Sequence, residues 1–207
     1  NEVVDDLVIY ATLEPIDGPG AILGSAGPCA LRAGATGLTI VGTMRFDTAD
    51  LDGLESSGRL NSVILHEMGH VLGIGTLWNR NGLLLQPSLP SSAGVDTRYT
   101  GANSIAGFDA IGGNTHTGGG KVPVENSQGG SGTRDAHWRE SVLANELMTG
   151  FINSGVPNPL SLLSVRSMQD IGYTVNTAAA DPFFISLSIR AEGSGTLDAI
   201  EMVDDIY

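Results

Sequence analysis

The hydrophobic pattern of this chain is sharp up to residue 73, weak through the middle, and sharp again from residue 159. Residues 7–12 (LVIYAT) form a short β-branched and aromatic run bounded by Asp5, Asp6 and Pro15, which predicts a strand. Glycine-rich turns follow, with a second strand expected near residues 21–25. Residues 38–46 (LTIVGTMRF) read as a third strand that ends at Asp47. The pattern then turns helical. Ser56 and Ser57 offer an N-cap for a helix from about Gly58 to Leu72, and Gly73 and Gly75 supply its stop. This helix is apolar on nearly every side, so it is expected to be buried.

Between residues 74 and 136 glycine, asparagine, serine, threonine and proline dominate. A structureless stretch of that length is uncommon inside a compact domain. The expectation is an insertion with short elements beside an active site. Residues 141–148 suggest a helical turn. Residues 159–171 predict a helix with Asn158 as cap, Pro159 in the first helical position and Gly172 as its end. Residues 183–189 alternate as a strand would, and the acidic tail after Glu192 has no readable pattern. No repeat or linker divides the chain. The fold class is therefore α+β over one domain, residues 1–207. Its N-terminal lobe (1–73) holds a twisted sheet and the helix, and its C-terminal lobe (74–207) is largely irregular.

Composition narrows the function classes. Hydrophobic residues make up 41% of the 207 and charged ones 16%, which fits a folded chain with a sizeable core. The net charge of −13 repels phosphate backbones, so nucleic acid is not an expected partner. No apolar run approaches the roughly 18 residues of a membrane span. The best candidate, residues 63–74, is interrupted by His66, Glu67 and His70. Cys29 is the single cysteine, so no intrachain disulfide forms, and a buried structural thiol is the expectation. A start at Asn1 is naturally explained by processing or excision, which leaves location open.

Chemistry is concentrated in residues 63–73 (VILHEMGHVLG). Positions four apart on a helix share a face, so His66 and His70 can present imidazole nitrogens to one zinc ion. Glu67 follows the first histidine and is placed to take a proton from an attacking water. Two histidines and a glutamate buried without partners would cost several kcal/mol as an order of magnitude, a penalty that a metal removes. A catalytic zinc site takes a third protein ligand and keeps one position open. No glutamate lies between Glu67 and Glu125, which disfavours a downstream carboxylate ligand. In a compact HExxHxxG arrangement the third histidine would follow at position 76, which is Thr76. Only His116 and His137 remain.

The stretch LHEMGHVLG, the distant His137-Trp138 pair and the later ELMTG at residues 146–150 resemble the leishmanolysin-type metzincins, peptidase family M8. Upstream, DLVIYAT and LTIVGTMRFD are similar to that family's strands, and residues 159–173 to its segment after the methionine turn. The resemblance spans about residues 5–176. It implies a metzincin-like zinc peptidase in which residues 74–136 are the long insertion and His137 is the third ligand. Met148 would be an apolar floor beneath the metal and not a ligand. Eukaryotic members are rich in disulfides, so the single cysteine resembles a bacterial relative; the family's earliest strand and helix are expected to be missing before Asn1, with an N-terminal lobe that is incomplete or built differently.

The expected function is a zinc-dependent endopeptidase with peptide or protein substrates, secreted or at the cell surface as the resemblance implies. His66, His70 and His137 would hold Zn2+, and Glu67 would be the general base. Two rivals are a non-catalytic adhesion module on the same fold, which has no need of Glu67, and a zinc hydrolase of non-peptide amides. Residues 148–151 (MTGF) carry no tyrosine, so no oxyanion-steadying group is assigned. Asp47, Asp50 and Asp52 offer carboxylates for Ca2+ without EF-hand spacing, and a solvated acidic turn is the favoured reading there. His116 lies in a polar stretch, residues 114–118, expected to be a loop with no bulky neighbour to fix its ring.

Overall fold

The computed structural model of the chain describes residues 5–34, 37–89, 92, 94–185 and 198–199. Strands β1 (Val8–Glu14), β2 (Gly24–Leu31) and β3 (Thr39–Asp47) form a sheet in the order β1-β3-β2. β3 runs parallel to β1, with Val8 opposite Val41, and antiparallel to β2, with Gly24 opposite Phe46. β2 is longer than the expected 21–25. Its sequence, GSAGPCAL, has little β propensity of its own, and pairing with β3 creates it. The register shifts between Pro28 and Ala30, where proline has no N–H to give the ladder.

The expected helix 58–72 is two helices, α1 (Leu51–Ser56) and α2 (Leu60–Leu72). Gly58, at φ +71°, turns the chain between them. The hydroxyls of Ser56 and Ser57 bond back to the carbonyls of Gly53 and Leu54 and do not cap α2. The end of α2 does follow the sequence. Gly73 adopts φ +111° and its N–H bonds to the carbonyls of Gly69 and His70. Thr39 Oγ1 and Thr76 Oγ1 donate to the buried last-turn carbonyls of Val71 and His70, 2.7 Å each.

Two apolar clusters meet at this helix. Val63 and Val71 pack with Leu23, Met44, Phe46 and Leu54 over the sheet. Just past Gly73, Ile74, Leu77 and Trp78 enter the second cluster, with Tyr99, Phe108, Trp138, Leu147 and Met148. Each fully buried aliphatic or aromatic side chain contributes about 1.5–3 kcal/mol relative to exposure. The residues just beyond the end of α2 are thereby fixed against the second cluster. The expected burial on all sides fails along one line, where Leu65 is 52% exposed and Met68 is also exposed.

The insertion carries short elements: β4 (Leu84–Leu85) paired with β5 (Arg98–Tyr99), α3 (Ala102–Ala110) and α4 (Gly130–Thr133). Then come α5 (Glu140–Leu143), β6 (Phe151–Ile152), α6 (Leu162–Ile171) and β7 (Asp198–Ala199), which pairs with β6. The helical turn expected at 141–148 is thus shorter and earlier. α6 begins later than expected, with Ser161 and not Asn158 at its N-cap. The chain ahead of it is held extended, since Leu147 N–H donates to Pro159 O and Leu160 N–H to Asp181 Oδ2. Residues 183–185 are not a strand, and the rest of that expected strand lies outside the described residues. Among the described residues no helix is long and apolar enough to cross a membrane.

Cys29 is exposed, contrary to the expectation of a buried thiol, with Sγ 3.5 Å from Thr43 Oγ1. The acidic turn is also corrected. Asp47 is fully buried, and its carboxylate accepts backbone N–H bonds from Ile16, Asp17, Gly18 and Ala49, which hold it below the usual carboxylate range. Asp50 accepts from Gly20 N–H. These carboxylates organise a loop, and a Ca2+ site there finds no support among the described residues.

Candidate metal centre

α2 sets His66 and His70 one turn apart, and the turn after α4 brings His137 to them across the fold. The three Nε2 atoms stand 2.8, 3.0 and 3.1 Å from one another, and all three rings are fully buried. Each Nδ1 faces a backbone carbonyl: Leu147 O at 2.7 Å for His66, Ile74 O at 2.9 Å for His70 and Thr133 O at 2.9 Å for His137. A carbonyl only accepts, so each Nδ1 carries the proton and each neutral ring turns a lone pair inward on Nε2. Three buried acceptors without a donor between them would cost about 1–3 kcal/mol each. Three nitrogens bound tetrahedrally to one zinc ion at about 2.0–2.1 Å would stand about 3.3 Å apart. The donor set therefore fits zinc. Burial and the neighbouring imidazole hold His70 and His137 at about 3, and His66 well below its usual value.

Glu67 is fully buried, and among the described residues neither carboxylate oxygen has a hydrogen-bond partner. Burial pushes its carboxyl well above the ordinary value. It packs against β2 at Gly24, where a Cβ would lie 3.1 Å from Oε1 and 3.0 Å from the carbonyl oxygen of Arg45. Met148 is buried beneath α2, with its thioether against Gly69. Trp138 N–H donates to Met148 O at 3.0 Å and Trp138 bridges Thr149, so the segment that follows His137 runs along the turn at Met148. The Trp138 ring lies tilted against Trp78 at 4.4 Å and edge-on to Tyr99 at 5.5 Å, which fixes the residue next to His137.

His116 is not brought to this cluster; among the described residues only His66, His70 and His137 form such a group. It does have a bulky neighbour, contrary to expectation, because Phe108 meets its ring edge-on at 5.6 Å. Burial lowers its pKa. Two buried glutamates went unread as supports for the site. Glu125 accepts from the N–H groups of Asn126, Ser127, Gln128 and Glu140, and its own N–H donates to His137 O. Glu146 accepts from Met148 N–H, Ser161 N–H and the hydroxyls of Ser161 and Ser164. The available signal was an acidic residue directly beside apolar ones, as in Val122-Pro123-Val124-Glu125 and Glu146-Leu147-Met148.

No curated protein matches the chain. The family model for leishmanolysin, peptidase family M8, matches residues 3–186 and so takes in α2, His137 and the methionine turn. On that match the chain belongs to the leishmanolysin family of zinc-dependent metallopeptidases.

Proposed function

We propose that this chain is a zinc-dependent endopeptidase, with His66, His70 and His137 as metal ligands and Glu67 as general base. One observation carries the reading. Three inward-facing imidazole lone pairs converge beside the turn of helix that carries a buried carboxylate with no hydrogen-bond partner among the described residues. A zinc ion held there would polarise the scissile carbonyl and acidify water. The chain's own groups do the rest. The carbonyls of Leu147, Ile74 and Thr133 keep the three rings in one tautomer. Glu67 takes a proton from the attacking water on a carboxylate oxygen and delivers it to the leaving amine. Its raised proton affinity suits that task, and a cation nearby would lower it again by favouring the carboxylate.

The substrate is a peptide or protein, and the site of action is secreted or at the cell surface, as for the family. Asp47 and Asp50 take no part in metal binding. Incubation with an unstructured protein tests the reading. Cleavage that stops with a chelator and returns with zinc supports it, and cleavage by demonstrably metal-free protein contradicts it.

A further inference from the structure

We propose that Glu146 is a positioning residue for the metal centre, acting through the Leu147 carbonyl on His66 and through Ser164 and Trp138 on the segment that carries His137. The inference rests on the zinc reading above. Glu146 is fully buried, and its carboxylate gathers donors from two elements. Oε2 accepts Met148 N–H at 2.6 Å. Oε1 accepts Ser161 N–H at 3.0 Å, Ser161 Oγ at 2.7 Å and Ser164 Oγ at 2.6 Å, at the start of α6.

The bond to Met148 N–H closes a short ring around the Leu147 peptide. That peptide's oxygen is the acceptor 2.7 Å from His66 Nδ1, so the ring fixes both the direction of the carbonyl and the tautomer of His66. The second path is equally directed. An indole N–H can only donate, so Ser164 Oγ accepts from Trp138 Nε1 at 2.8 Å and must send its own proton to Glu146. Trp138 follows His137, and its N–H donates to Met148 O. One carboxylate thus ties together the turn at Met148, the N-terminus of α6 and the segment of the third histidine. An isosteric glutamine fills the same space but presents one oxygen and an NH2, so it cannot accept on both sides.

The test is a zinc titration of the metal-free parent, Glu146→Gln and Ser164→Ala, with a cobalt(II) absorption spectrum of each. The parent is expected to bind one ion. Glu146→Gln should bind about 10–100-fold more weakly with an altered cobalt spectrum, and Ser164→Ala should lose less in the same direction. If Glu146→Gln does not fold by circular dichroism, Ser164→Ala carries the test, because it leaves the carboxylate and its other bonds in place. Parent-like affinity and spectrum in the folded variants would overturn the proposal, whatever their melting temperature, since the carboxylate would then only stabilise the fold. A parent that binds neither metal would instead overturn the zinc reading itself.

Discussion

The thioether of Met148 lies against Gly69, the single position of α2 without a side chain; a Cβ there would stand 2.8 Å from both Sδ and Cε. The helix sequence His-Glu-Met-Gly-His thus leaves a notch between its two histidines, and the methionine fills it from below.

Gly69→Ala sets two effects against each other. The helix gains about 1 kcal/mol from losing a glycine. Overpacking a buried neighbour costs about 1–3 kcal/mol. Net stability should therefore fall by about 0–2 kcal/mol, with a melting temperature lowered by at most about 4–8 °C. The displaced methionine should be felt at the metal, as weaker zinc binding. A variant with parent zinc affinity would mean that the contact does not support the site.

His137→Ala should abolish stoichiometric zinc binding, while His116→Ala should bind as the parent does. The structure places His137 Nε2 within 3.1 Å of both other imidazoles and leaves His116 outside the group. Metal analysis of the two purified variants decides the matter. Retention of zinc in His137→Ala together with its loss in His116→Ala would assign the third ligand to the wrong histidine.

Acid should destabilise the metal-free protein. Folding lowers the pKa of His70 and His137 from 6.5 to about 3, and that of His66 in the same direction. The unfolded chain then binds more protons between those values, so stability present above about 6.5 is lost as the pH falls toward 3. Glu67 works the other way. Its raised pKa means that the folded state takes up a proton, which favours folding as the pH falls. Three imidazoles outweigh one carboxyl, so urea midpoints of chelated protein should fall between pH 7.5 and pH 5, and fall further in Glu67→Gln. An unchanged midpoint in the parent would contradict the buried, neutral imidazoles.

The candidate residues His66, Glu67 and His70 could be picked out in the sequence because the motif is local and lies on one turn of helix. The first and third strands were legible because β1 and β3 are β-branched and hydrophobic. β2 was nearly invisible, since Gly24, Gly27 and Pro28 give it no strand signal and its existence depends on β3. The start of α6 was misplaced because Glu146, fifteen residues away, takes up the Ser161 N–H that would otherwise mark an earlier turn. Likewise the carbonyls of Leu147, Ile74 and Thr133, which set the tautomers of the three histidines, are backbone groups that no residue type announces. Asp47 looked like a solvated acid because nothing local shows that four backbone N–H groups converge on it.

The central claim is that Glu67 does chemistry while the three histidines hold the metal. It is tested most directly by measuring zinc content and peptide hydrolysis on the same samples of parent and Glu67→Ala. The account predicts equal zinc in both and a fall in kcat of at least about 10²–10⁴-fold in the variant, the range a positioned general base supplies. Near-parent turnover in a zinc-loaded Glu67→Ala would contradict it.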